Sequence, residues 1–289
     1  MRFGVVVPFS DARLFTELAV LGEQHGWDGI FTWEALWGTD AWVSLGAAAM
    51  VTSRIRLGTL LTPAARHRPW DLASKVGTVD RLSGGRAVMS VGLGALHDGW
   101  LAFEADEGRA VRAERLDECL AIYAGLMHGQ PFTFRGRHYS ARPTDFRLPP
   151  PPMHQPHPPV WVVGAYRVGR ARQPSLERAA GWDGLLPAIV PEDPAAAPQG
   201  QAGYDLESFA QVVSLVRGMR EQQGLPWQGY ERVVEADSWG EHVHLEGGPS
   251  DWEEAGATWW VEGWWNLDDG PAGHAEVRRR VEGGPPTSH

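Results

Sequence analysis

Cysteine is nearly absent: Cys119 is the only one in 289 residues. A disulfide framework within the chain is therefore excluded. Leu116, Leu120 and Tyr123 flank it at helical spacing, so it reads as a packed core thiol, since a free cysteine usually behaves as a small buried hydrophobe. Basic charge is also short. Lys and Arg number 26 against 36 Asp and Glu, a formal net charge of −10. Nucleic-acid binding needs a basic surface that displaces condensed counterions, and docking on anionic lipid needs the same sign. Neither nucleic acid nor a membrane is expected as a partner. No apolar run approaches the ~20 residues of a membrane span. The opening stretch, Met1 to Pro8, carries too short an apolar run for a signal peptide. It reads as a first strand, and a cytoplasmic protein is the expectation.

Hydrophobic residues make up 43% of the chain, with 15 tryptophans among them, which is ample for a large core. Short β-branched runs alternate with amphipathic stretches, the pattern of parallel strands joined by crossover helices. Strands are expected at 3–7, 29–33, 55–61, 87–91, 160–163, 184–186, 232–235 and 258–262. Helices are expected at 12–25, 41–52, 71–82, 109–127, 175–180, 206–223 and 272–282. Residues 132–139 read as a small hairpin excursion. Residues 148–159 are too rich in proline for a helix interior or a central strand, and 191–203 read as a mobile surface loop. The segment 239–249 shows no clear pattern. Eight strands alternating with helices in this length predict one (β/α)8 barrel, a TIM barrel, over residues 1–282. Residues 283–289 are expected as a flexible tail.

In such a barrel the site lies at the C-terminal ends of the strands. Those ends carry glycines, aromatics and isolated carboxylates, with no Ser/His/Asp set on one loop and no metal-ligand spacing. Gly92, Leu93 and Gly94 follow strand four, where glycine lets backbone N–H groups approach a phosphate or a planar ring; a plain tight turn gives the same pattern. Gly164, Ala165 and Tyr166 follow strand five, with Arg167, Arg170 and Arg172 beyond. Arginines beside a strand-end glycine suit a phosphate, or form a solvated basic loop. A second basic cluster, Arg66-His67-Arg68, follows strand three; it suits an anionic tail or substrate, or balances nearby acids. His67 is the histidine best placed for proton work, with a structural or solvent-facing role as the alternative. His242 and His244, with Glu241 and Glu246, give two metal ligands without a defined third, and no metal is expected. Phe9, Trp33, Trp37 and Trp264 are expected to line an apolar substrate pocket.

Several stretches, in order along nearly the whole chain, resemble the luciferase-like flavin-dependent monooxygenase family, especially its F420-dependent branch. They are Gly26-Trp27-Asp28-Gly29-Ile30-Phe31, the run from Arg54 to Pro63, and Asp80-Arg81-Leu82-Ser83-Gly84-Gly85-Arg86 continuing to Val91-Gly92-Leu93-Gly94. Further matches are Arg115-Leu116-Asp117-Glu118 through Phe134 to Tyr139, Pro158 to Gly164, Ala179 to Gly184, and Ala255 to Trp260. The resemblance implies an oxidoreductase or monooxygenase that binds coenzyme F420 or FMN and acts on a small organic molecule by hydride transfer or oxygen activation. It implies a ring over strand three, at Thr59, Leu60 and Leu61, with a non-prolyl cis peptide at Thr59-Leu60 or Leu60-Leu61. It places a phosphate near Gly92–Ala95 and Gly164–Tyr166, with Arg170 as a cationic partner. A homodimer is a further expectation. Many F420-dependent members carry an Asp-His pair after strand two. Here Glu34 and Ala35 stand in those positions, and alanine transfers no proton. Glu34, His67 and Glu262 are the candidates for the role. The alternative is a flavin- or deazaflavin-binding barrel without turnover, a carrier or sensor. A weaker one is a phosphate-binding lyase or isomerase on the same fold.

Overall fold

The computed structural model describes residues 1–96, 99–191, 205–240 and 245–286. The strands are β1 (Arg2–Val7), β2 (Gly29–Thr32), β3 (Arg56–Pro63), β4 (Ala87–Gly92), β5 (Phe134–Arg135), β6 (Ser140–Ala141), β7 (Val160–Arg167), β8 (Gly184–Val190), β9 (Glu231–Ala236) and β10 (Trp259–Gly263). The helices are α1 (Ala12–Gln24), α2 (Ala41–Val51), α3 (Pro69–Ser83), α4 (Arg109–His128), α5 (Pro174–Ala180), α6 (Leu206–Gln222), α7 (Pro249–Glu254) and α8 (Pro271–Glu282). Among the described residues, eight strands close as a barrel in the order β1-β10-β9-β8-β7-β4-β3-β2. The predicted (β/α)8 architecture is the observed one. No helix among the described residues is long and apolar enough to cross a membrane.

The chain divides into two compact units. One comprises Met1–Ser10, Leu21–Phe31 and Val160–His289, the other Asp11–Val20 and Thr32–Pro159.

In the first unit, large aromatics fill the N-terminal ends of the strands. Trp161, the second residue of β7, packs 5.3 Å from Trp259, the first of β10, and 5.4 Å from Phe31 (centroid distances). Small residues make that room: a Cβ on Gly184 would fall 2.4 Å from the Trp161 ring. With that end plugged by side chains, chemistry is left to the loops at the other end, as in a packed barrel. Outside this core, Arg220 of α6 ties the unit together. Its guanidinium donates to the carbonyls of Ala180, Trp182 and Pro226 and lies over the Tyr230 ring.

In the second unit, Asp40 caps α2 by accepting from the Val43 amide. Pro69 opens α3, and Gly84 ends it in the left-handed region at φ +66°, as glycine commonly does at a helix end. Arg86 fills the gap below α2, donating to Ala49, Thr52, Ile55 and Ser83. Cys119 on α4 is fully buried, and burial pushes its thiol up to about 12. The expected hairpin excursion is β5 and β6, antiparallel, with Phe134 opposite Ala141. It is pinned to α4 because the Glu118 carboxylate accepts the amides of Arg137, His138 and Tyr139.

Several boundaries differ from expectation. β7 runs to Arg167 and β8 to Val190, paired in register from Trp161↔Gly184 to Arg167↔Val190. Gly164 had read as following strand five, and strand six was expected to stop just before Pro187. Their positions lie inside the ladder, where glycine is needed for space. β3 extends to Pro63 and continues as a short 3-10 turn, Ala64–Arg66. The helix α7 lies at the edge of the segment that had shown no pattern; at six residues it is too short for a helical period to register.

Candidate functional site

In the second unit, β2 ends at Thr32, and Glu34 follows in the loop before α2. Its side chain is buried, although it is a carboxylate. Two groups from the turn after β3 account for that. Nε2 of His67 lies 2.8 Å from Glu34 Oε2. Nη2 of Arg66 donates to the Glu34 carbonyl at 3.1 Å and to the Ala35 carbonyl at 3.5 Å, and lies 4.0 Å from Glu34 Oε2. Burying a carboxylate without such partners would be strongly unfavourable. Arg66 itself lies over the Trp100 ring, whose indole N–H donates to Glu104. The loop after β2 and the turn after β3 are thus held together by charge-assisted bonds.

A cleft of about 270 Å³ opens at this pair, lined by Glu34, Ala35, Trp37, Arg66, His67 and Lys75 among others. A carboxylate only accepts, so with Glu34 ionised the shared proton sits on Nε2 of His67. Nδ1 has no partner among the described residues, which leaves it to exchange a proton with a bound molecule. Trp37 is 87% exposed and stands at the rim. Trp33 is half-buried, on the same loop.

Beside this cleft β3 is irregular. Its register against β4 shifts between Thr59 and Thr62, and the Leu60–Leu61 peptide is cis, one of the two bonds where the family resemblance puts one. Thr62 donates its hydroxyl to Thr59 at 2.9 Å, and Thr59 donates to the Ser90 carbonyl at 3.3 Å. Ser90 Oγ is buried with no hydrogen-bond partner among the described residues. After β4, Gly94 sits at φ +76°, and a Cβ there would come within 2.8 Å of Pro63 and 2.9 Å of Trp100. Glycine at 94 makes room for Pro63 and Trp100, and the buried Ser90 hydroxyl without a partner is what a flat group with a hydrogen-bonding edge would use. The residues present fit an isoalloxazine-type ring. Thr59, Leu60, Gly92 and Ser90 are buried, and Leu61, Leu93 and Gly94 are partly exposed.

In the first unit the stretch expected to meet a phosphate is partly engaged already. The Ala165 amide donates to Ser175 Oγ and the Arg167 amide to Gln173 Oε1. Gly164 is packed: a Cβ would lie 2.3 Å from Leu185 and 2.9 Å from Leu176. Glycine there admits two leucines rather than a ligand. Arg172 pairs with Glu177. Tyr166 and Arg167 are half-buried and Arg170 is exposed, and the side chains of these three are left to meet an anion.

Glu262, at the end of β10, is fully buried. It accepts from the indoles of Trp260 at 2.7 Å and Trp264 at 3.1 Å and from the Ser238 amide at 2.9 Å. Burial pushes its carboxyl above the usual carboxylate range, nearby Asp237 adds to that, and the hydrogen bonds oppose it. Trp264 was expected at a ligand, but it is 1% exposed, edge-on to Trp27 at 6.4 Å. In this structure both are packing groups. Phe9, after β1, is half-buried. Glu241, His242 and His244 lie outside the described residues; Glu246 is described, and its carbonyl accepts from the Trp252 indole.

Sequence reasoning missed Lys75, Ser90 and the clamp made by Arg66. Ser90 sits in an apolar strand, and the clamp joins positions 32 residues apart in sequence. Lys75 is the sole lysine of the chain, and that count was the available signal.

Comparisons with known proteins agree with this architecture. The model of a family described as luciferase-like monooxygenase matches residues 1–197. An F420-dependent glucose-6-phosphate dehydrogenase of Beutenbergia cavernae is 34% identical over 180 residues, which is 58% of this chain and 50% of that protein. The chain spans about half the length of the curated relatives it matches. Among solved structures, an F420-dependent tetrahydromethanopterin reductase of Methanopyrus kandleri superposes with a TM-score of 0.71 at 14% identity, over 98% of each chain. The FMN complex of the oxygenating constituent of 3,6-diketocamphane monooxygenase, from Pseudomonas putida, gives 0.63 at 17% identity, over 82% of this chain and 67% of that one. At such identities the structural likeness shows the fold; the family model, covering about two thirds of the sequence, shows more: this chain belongs to the luciferase-like monooxygenase family.

Proposed function

We propose that the protein is a redox enzyme that binds coenzyme F420 or FMN and acts on a small organic substrate, with Glu34 and His67 as its proton-handling pair. The 2.8 Å contact between these two side chains in the wall of a cleft carries the reading. Family membership supports it, and so do a relative named for F420 and a neighbour named for FMN. Bound, the cofactor supplies hydride transfer or oxygen activation. Thr59, Leu60, Leu61, Ser90, Gly92, Leu93 and Gly94 would hold its ring.

The chain's own residues then have distinct tasks. Ser90 Oγ offers the ring edge a hydrogen bond. Gly94 admits the Pro63 and Trp100 side chains against the turn after β4. Trp37 stands at the rim of the substrate cleft. Glu34 fixes the tautomer and orientation of His67, and His67 donates or accepts a proton at Nδ1, which is how a histidine held by a carboxylate usually serves general acid–base chemistry. The role left open by Ala35 passes to the next loop. Glu262 keeps two indoles in place and is assigned a supporting role.

The second reading, a binding barrel without turnover, is favoured by Ala35 itself. The two part on one experiment. Protein loaded with reduced F420 or reduced FMN is mixed with oxygen, aldehydes, ketones and enones, and reoxidation is followed by absorbance. Reoxidation above the free-cofactor rate by any acceptor supports the enzyme. Tight binding with no acceleration by the whole panel supports the carrier.

The proposal includes a homodimer. The outer face of α2 carries Val43, Ala47, Met50 and Val51, all exposed and apolar, beside exposed Leu82 of α3. Light scattering should give a dimer mass for the native protein and a monomer mass for Met50→Glu.

A further inference from the structure

Lys75 is the only lysine among 26 basic residues; the others are arginine. It lies in the second turn of α3 and is half-buried in the wall of the cleft that holds Glu34 and His67. Asp71 is one turn away, yet Lys75 has no hydrogen bond or ion pair among the described residues. The other charges at the cleft are committed. Arg66 holds the Glu34 and Ala35 carbonyls. Glu34 receives His67. Asp40 accepts from the Val43 amide as the cap of α2. An ammonium in a cleft wall with no partner among the described residues is free to make a charge-assisted contact with a bound anion.

We propose that this cleft is an anion subsite, in which the Lys75 ammonium binds a carboxylate or phosphate carried by the substrate. The inference rests on the reading of the cleft as the substrate pocket. An ammonium is a compact point charge without the fixed fork of a guanidinium, so it takes either anion. The volume of about 270 Å³ lies just under the usual range for small-molecule sites, roughly 300–1,000 Å³. The substrate class is therefore a small organic acid or phosphate ester. Its charged end sits at Lys75, its reacting centre faces the Glu34–His67 pair, and Trp37 covers it at the rim.

A single lysine makes the test direct. The native protein is treated with succinimidyl acetate, a neutral acylating reagent, and acylation of Lys75 is followed by peptide mass spectrometry. The α-amino group, acylated in the same tube, is the internal control. Inorganic phosphate and benzoate are added separately, with sodium chloride holding the ionic strength constant. Occupancy should slow acylation of Lys75 in a saturable way, by about tenfold once an anion is in roughly tenfold excess over its dissociation constant, and leave the α-amino group unaffected. Loss of saturable phosphate or benzoate binding in Lys75→Gln, read by calorimetry, would agree. Two results overturn the proposal. One is no slowing beyond the sodium chloride control. The other is full protection by FMN or F420 alone, which would assign the subsite to a cofactor phosphate. Fluorescence titration of F420 and FMN in the same samples separates this proposal from the redox reading. Cofactor binding without anion protection sinks only the subsite. Anion protection without cofactor binding sinks only the redox reading.

Discussion

Nε2 of His67 lies 2.8 Å from Oε2 of Glu34, joining the loop after β2 to the turn after β3. The two residues are 33 positions apart and were separate candidates until the fold brought them together. In the proposed function this pair is the acid–base unit, and the first consequence of that role is kinetic. His67→Gln keeps a hydrogen bond to Glu34 but carries no titratable proton. Turnover should fall about 10²- to 10⁴-fold, the usual contribution of a general acid or base. Glu34→Gln should fall less, because the histidine remains but its tautomer is no longer fixed. Cofactor dissociation constants should stay within a few-fold of the parent in both. Full turnover in His67→Gln, measured by stopped-flow reoxidation, would remove it from the mechanism.

Gly164 separates packing from phosphate binding. A Cβ there meets Leu185 at 2.3 Å and Leu176 at 2.9 Å. Gly164→Ala should therefore cost stability, about 1–3 kcal/mol as for other overpacked cores, read by urea denaturation. If the folded variant instead keeps full stability and loses cofactor affinity, the packing account of Gly164 is wrong.

Glu262 gives the stability a pH dependence of known sign. Burial raises its carboxyl above the usual range in the folded state, so the folded protein holds that proton more tightly than the unfolded chain. The stabilisation is fully present below the unfolded value and is lost as pH rises through the folded one. Denaturation curves across the mildly acidic range should show this component in the parent and not in Glu262→Gln. Glu262→Ala strands the indoles of Trp260 and Trp264, at roughly 1–3 kcal/mol for each unsatisfied donor.

Cys119 should be inert in the native state. With its thiol pushed up to about 12, only about one molecule in ten thousand carries the thiolate at pH 8, and the thiolate is the reactive form. Iodoacetamide should leave the native protein unlabelled over hours and label it within minutes in urea, by intact mass. Rapid native labelling would contradict the burial.

The alternation of apolar runs and amphipathic stretches was enough to read the barrel, because each buried strand must be apolar whatever its partner. Strand ends were harder. Gly164 and Pro187 punctuate local structure in sequence, yet both continue the ladder, since space and pairing are set by neighbours far along the chain. Glu34 and His67 were each visible as residues at a loop. Their contact was not, nor was the burial that turns Glu262 and Trp264 from site candidates into support. Single-residue chemistry is local, whereas the pairing of side chains depends on long-range geometry.

The most direct test of the account is equilibrium binding of the ring. Purified protein is titrated with F420 and with FMN, following fluorescence, in the parent and in Ser90→Ala, which removes the buried hydroxyl that has no partner among the described residues. The account predicts saturable binding of at least one cofactor by the parent, and binding weakened by about tenfold or more in the variant, a loss of about 1.4 kcal/mol. No binding of either cofactor by the folded parent would contradict it.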